Sequence, residues 1–136
     1  MAARHSPARR VERSRAIGFL RKATEFYETM RSAMQTKRWN AVGLNAVHCA
    51  ISACDAMLVY YTEQRSASPD HERAVDLLSA LDKVPDAQPK AETLRRILHQ
   101  KHIIEYEDRS CTEIEAATLA KLTERFYQWA STLVSA

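Results

Sequence analysis

The chain has 136 residues, with 2 Gly, 4 Pro, 46% hydrophobic and 27% charged side chains. This is the length and composition of one globular domain, which excludes collagen-like, disordered and disulfide-stapled classes; two glycines also cannot supply the turns of an all-β fold or a phosphate-cradling loop. The net charge of +3 is too mild to mark a nucleic-acid-binding domain, but it is uneven: Arg4, Arg9, Arg10, Arg13 and Arg15 face only Glu12, so the positive excess lies at the start.

Residues 1–12 therefore read as a basic N-terminal arm, either a solvated terminus or a contact for phosphate or an acidic partner, ahead of a helical domain over 13–136. Ser6-Pro7 has the N-cap then first-turn order that opens a helix, and Ser68-Pro69 repeats it. From Arg13 onward, Ile17, Leu20, Tyr27 and Met34 share one stripe, broadened by Phe19, Phe26, Met30 and Ala33, which predicts a first helix ending near Thr36. Leu44, Val47, Ile51, Cys54, Leu58 and Tyr61 recur every three or four residues and predict a second helix from about Trp39 to Tyr61. Its alanines, Ala46, Ala50, Ala53 and Ala56, allow neighbours to approach closely, so it is the expected central element.

Gln64 to Asp70 reads as a loop, Val75, Leu78 and Leu81 mark a short third helix, and Asp82 to Lys90 is a second loop. A fourth helix is expected from near Pro89, with Leu94, Ile97, Leu98 and Ile104 on one side, as far as Arg109-Ser110-Cys111. Thr112 with Glu115 forms a capping box that opens the last helix, whose apolar face runs through Phe126, Trp129 and Leu133. No strand pattern competes. The predicted fold class is all-α: an up-and-down four-helix bundle with an additional short helix.

Cysteines at 49, 54 and 111, odd in number and without a C-x-x-C pair, make a disulfide framework or zinc site an unsuitable reading and fit a reducing cytoplasm. No apolar run approaches the roughly 20 residues a membrane span needs, so a cytoplasmic protein with no membrane contact is expected. H-E-x-x-H, G-x-S-x-G, G-x-x-x-x-G-K and E-x-x-H motifs are all missing from the sequence, and no metal or cofactor is called for. His99 and His102, three apart, lack further ligands.

The informative residues are polar ones in apolar surroundings. His48, Ser52 and Asp55 align on the second helix beside Ile51 and Leu58. A carboxylate there demands a cation. Lys101 continues the stripe of Ile97 and Leu98 and is the expected partner of Asp55, with His71 as a second candidate. Either the two close one buried bridge, or they line a polar pocket for a phosphate-bearing or base-bearing ligand. Lys101, Glu105 and Asp108 share a face, and Tyr106 and Arg109 sit near the helix end.

Taken together, Arg38 to Ala41 (Arg-Trp-Asn-Ala), the run from His48 to Asp55-Ala56, Asp70-His71-Glu72, Lys101 with Tyr106, and Phe126 with Trp129 resemble the HEPN domain, in particular small stand-alone bacterial members. The resemblance covers about residues 13–134. It implies a bundle that often forms homodimers, in toxin–antitoxin, defence or RNA-processing systems. Catalytic members of that family use an Arg followed, four to six residues on, by His to cleave RNA without metal. By position these fall at Lys101 and Tyr106, which both depart from the motif, while His99 and His102 stand at the wrong offset from Lys101. Lysine supplies a point charge without arginine's planar fork, and tyrosine, with a pKa near 10, is a weak base at neutral pH. The expected function is RNA or nucleotide binding with a degenerate ribonuclease motif, through Asp55, Lys101, Tyr106, His48, His71 and Arg109. The alternatives are an active metal-independent endoribonuclease with Lys101 and Tyr106 as catalytic candidates, and a dimeric scaffold for a partner protein.

Overall fold

A computed structural model describes residues 8–67 and 71–135, so both Ser-Pro signals, Asp70 and most of the basic arm lie outside the described residues. The elements are β1 (Ala8–Arg10), a 3₁₀ turn (Arg13–Arg15), α1 (Ala16–Gln35), α2 (Trp39–Thr62), β2 (Gln64–Ser66), α3 (Glu72–Ser79), α4 (Ala87–His99), α5 (Lys101–Tyr106) and α6 (Glu113–Leu133). The fold is an all-α bundle with α1, α2, α4 and α6 as its long members.

α2 is the centre. Its periodic alanines do what their spacing suggests: Ala46, Ala50, Ala53 and Ala56 are fully buried, and α1 and α6 pack closely against the helix. Phe126, Met30, Met57 and Leu58 are among the largest side chains of the buried core. α2 is also long and apolar enough to cross a membrane by length and composition, against the expectation from uninterrupted runs, but 78% of that window is buried inside the bundle. Its apolarity answers to the core around it. Cys49, Cys54 and Cys111 are buried free thiols, and burial pushes Cys49 up to about 12, so it stays protonated and inert.

Two features depart from the sequence reading. The segment after α2 is not simply a loop: Gln64–Ser66 pairs antiparallel with Ala8–Arg10, placing Arg9 opposite Arg65, and a two-stranded ribbon appears where no strand was expected. Neither strand alternates apolar with polar residues, so pattern does not announce it. Glu63, at the turn from α2 into β2, takes a left-handed backbone with φ 56°. Its carboxylate accepts from the Arg13 backbone N–H (3.0 Å) and pairs with Arg10 (3.5 Å), which holds it below the usual carboxylate range. In a chain with two glycines, Lys37, Glu63 and Asp86 take over positive-φ positions that glycine usually fills.

The second departure is at Gln100. Its N–H donates to the Ile97 carbonyl three residues back (3.1 Å), a tightened turn that ends α4 and starts α5 on a new face. α5 rests on α2 at Gly43, where an added Cβ would stand 2.7 Å from the Ile104 side chain. The opening of α6 follows the sequence: the Glu115 backbone N–H donates to the Thr112 hydroxyl (3.1 Å) and the Thr112 N–H to the Glu115 carboxylate (3.0 Å). Thr112→Ala is expected to cost about 1 kcal/mol, measurable by urea denaturation, because it leaves an orphan donor at the helix start.

Candidate functional site

Asp55 is buried on α2 with its side chain 10% exposed, and its partner is Arg65 of β2, Nη2 to Oδ2 at 3.1 Å. The expected pairing with Lys101 does not form. Burial pushes the Asp55 carboxyl up to about 6, against the opposing charges of Arg65 and Lys22. Asp55, Arg65, His71, Cys54 and Leu98 surround a cavity of about 60 Å³. That holds a few waters and falls far below the roughly 300 Å³ at which small-molecule sites begin.

Beside it lies an open groove of about 330 Å³ between the start of α3, the end of α4 and α5. His71, Glu72, Arg95, His99, Lys101, His102 and Tyr106 line it, and His71 and Leu98 border both spaces. Arg95 is aimed by two carboxylates, Nε to Glu72 at 3.2 Å and Nη1 to Glu92 at 2.7 Å. Lys101 pairs with Glu105 at 2.8 Å within one turn of α5, and its Nζ lies 5.7 Å from the centre of the Tyr106 ring. The hydrogen bond to Glu105 raises the Lys101 pKa, so the ammonium is charged throughout the neutral range. Tyr106 is 70% exposed, with the His102 ring 5.5 Å away.

Of the six candidate residues, Lys101, Tyr106 and His71 meet in the groove. Asp55 lines the small cavity next to it. His48 packs on Phe26 of α1 with ring centres 5.5 Å apart. Arg109 is held at the start of α6 by Glu115 (2.7 Å) and Glu107 (3.4 Å) and does not line the groove. The arginine pulls Glu115 down to about 2, which marks a structural clasp over the capping box.

A family model, the HEPN domain, matches residues 18–133. The chain belongs to the HEPN domain family. No curated protein matches the sequence. The match takes in nearly all of α1 and every later helix through α6, and with them the α3–α4–α5 groove of this HEPN domain. The sequence reading did not name Arg95, and it set His99 and His102 aside, although a signal for them was there. Counted from Lys101 the histidines are out of place, but His99 stands four residues after Arg95 and His102 six after Arg96. The Arg-to-His spacing expected of catalytic HEPN members is thus intact upstream of Lys101. Arg95, His99 and His102 line the groove, whereas Arg96 lies with His99 along the side of α4 toward α6.

Proposed function

We propose that the groove between α3, α4 and α5 binds the phosphates of RNA or of a nucleotide. The observation that carries this reading is the ring of Arg95, Lys101, His99, His102 and His71 around an open space, with the exposed Tyr106 ring at its edge. No glycine lines the groove, so side chains must make the phosphate contacts. Arg95 offers a planar fork for two phosphate oxygens, Lys101 a point charge, and Tyr106 a face on which a base stacks. Glu72 and Glu105 hold these cations in place until a phosphate competes for them. Asp55 and its partner Arg65 lie behind the groove and do not line it.

In this reading the protein serves a toxin–antitoxin, defence or RNA-processing system in the cytoplasm, as a homodimer. Support for the dimer is an apolar groove of about 390 Å³ between α4 and α6, bordered by Ile103, Leu122 and the 80% exposed Ile114. The test is binding of short RNAs and nucleotides to wild type and Lys101→Ala over a range of salt. Wild type should bind, and Lys101→Ala should bind about tenfold more weakly. Its salt dependence should be shallower by about 0.7 in the log–log slope, since one phosphate fewer is neutralised. Binding indifferent to the substitution overturns the site.

His99 and His102 favour a second reading, a metal-independent endoribonuclease. Two imidazoles beside Arg95 are suited to take the proton of a 2′-hydroxyl and return one to the leaving 5′-oxygen. RNA cleavage in the presence of a chelator, abolished in His102→Ala, would favour this reading over binding alone.

A further inference from the structure

The start of α1 carries cations of which only Lys22 has a part in the bundle, as a distant opposing charge to Asp55. Arg15, Arg21 and Lys22 are exposed and, among the described residues, make no ion pair or hydrogen bond through their side chains. With Phe19 and Gly18 they line a hollow of about 300 Å³ bordered by no carboxylate. Gly18 forms an open part of it: a Cβ there would meet nothing within 4 Å, so packing does not account for a glycine inside this helix. Gly43 is the contrast, because α5 sits directly upon it.

The hollow and the groove share no lining residue, and Arg65 stands between them. The Arg65 guanidinium lies 5.0 Å from the centre of the Phe19 ring, and Arg9 stands opposite Arg65 in the ribbon, on the same face. Arg65 borders the Asp55 cavity together with His71, and His71 borders the groove. Basic groups with an aromatic ring at either end, Phe19 and Tyr106, therefore run from Arg21 through Arg65 and His71 to Lys101. Two basic recesses, each with an aromatic face, suit a single strand, whose phosphates and bases present themselves in turn. An anionic membrane calls for a flatter surface with protruding apolar side chains, and an acidic peptide has no use for the rings.

We propose that the α1 hollow is a second contact for single-stranded RNA, holding through Arg15, Arg21 and Lys22 the phosphates of a strand whose neighbouring segment occupies the groove. This rests on the groove reading above, and oligonucleotide length separates the two. The experiment is fluorescence anisotropy with labelled oligouridines of about four and about sixteen nucleotides, the span of common single-strand site sizes. It compares wild type, the triple variant Arg15→Ala/Arg21→Ala/Lys22→Ala, Gly18→Ala and Gly18→Glu. At about 0.1 M salt the triple variant should bind the long RNA at least tenfold more weakly, with a log–log salt slope reduced by about 2, while its binding of the short RNA is unchanged. Gly18→Glu, whose Cβ meets nothing within 4 Å, should weaken the long RNA several-fold by adding a negative charge to the hollow, and Gly18→Ala should weaken it less than Gly18→Glu.

Equal affinity of all four proteins for the long RNA overturns the proposal, provided circular dichroism shows each variant folded. So does an effect confined to anionic vesicles or polyglutamate. If wild type binds the long RNA and the variants do not, while the short RNA fails to bind wild type, the hollow stands and the groove reading falls.

Discussion

Arg65→Met is expected to destabilise the protein by about 2 kcal/mol at pH 8 and by little at pH 5, as read from urea denaturation at the two pH values. The methionine keeps an apolar stem against Phe19 and removes the charge from Asp55. Breaking a buried pair by deleting one partner commonly costs about 3–5 kcal/mol, and the 34% exposure of the Arg65 side chain lowers that figure. The pH dependence follows from the carboxyl group. Its pKa in the folded protein is raised to about 6 from 3.8, so between these values the native state holds a proton that the unfolded chain has released. Stability from this group is therefore present below about pH 4 and declines as pH rises through 6, by about 3 kcal/mol in total. At pH 5 the carboxyl is already largely neutral and has little use for the guanidinium. Asp55→Asn should remove the decline, leaving a curve that is flatter between pH 4 and pH 7 than that of wild type. A wild-type curve that rises over this interval in step with Asp55 would mean that Arg65 outweighs burial.

The same pair shows where the sequence was legible and where it was not. That Asp55 needs a cation follows from its place among Ile51, Cys54 and Leu58 on a core helix. The identity of the cation does not follow, because Arg65 belongs to a polar three-residue strand whose partner lies more than fifty residues earlier. Helix periodicity records contacts within a turn or two, and the ribbon is a long-range backbone pairing without an apolar stripe. The limits of α1, α2 and α6 were readable to within a few residues because each has either a continuous stripe or a capping box. Lys101 was expected to face inward by extending the register of Ile97 and Leu98, and the tightened turn at Gln100 breaks that register. The groove was half visible for the same reason. Lys101, Tyr106 and His71 could be selected as unusual polar residues, but Arg95, His99 and His102 join them only once α4 is stopped at His99 and α5 is turned.

Removal of both groove cations is the prediction with the largest effect on ligand binding. Arg95→Ala/Lys101→Ala should weaken binding of short RNA or nucleotide by about a hundredfold or more near 0.1 M salt, since each substitution deletes a charge-assisted interaction with phosphate. Without Arg95, Glu72, which lines the groove, loses one of the charges that offset its carboxylate near the incoming phosphate. The fold should be nearly indifferent, because both cations sit in surface pairs over water-accessible carboxylates. Arg95→Lys separates charge from shape: the charge remains and the fork is gone, so affinity should fall between wild type and Arg95→Ala. Asp55→Asn provides the internal comparison. It changes the pH profile of stability at a cavity of about 60 Å³, too small for a nucleotide, and should leave ligand affinity within about twofold of wild type. Weakening in Asp55→Asn equal to that in the double variant would place the ligand behind α3, against Arg65, and not in the open groove.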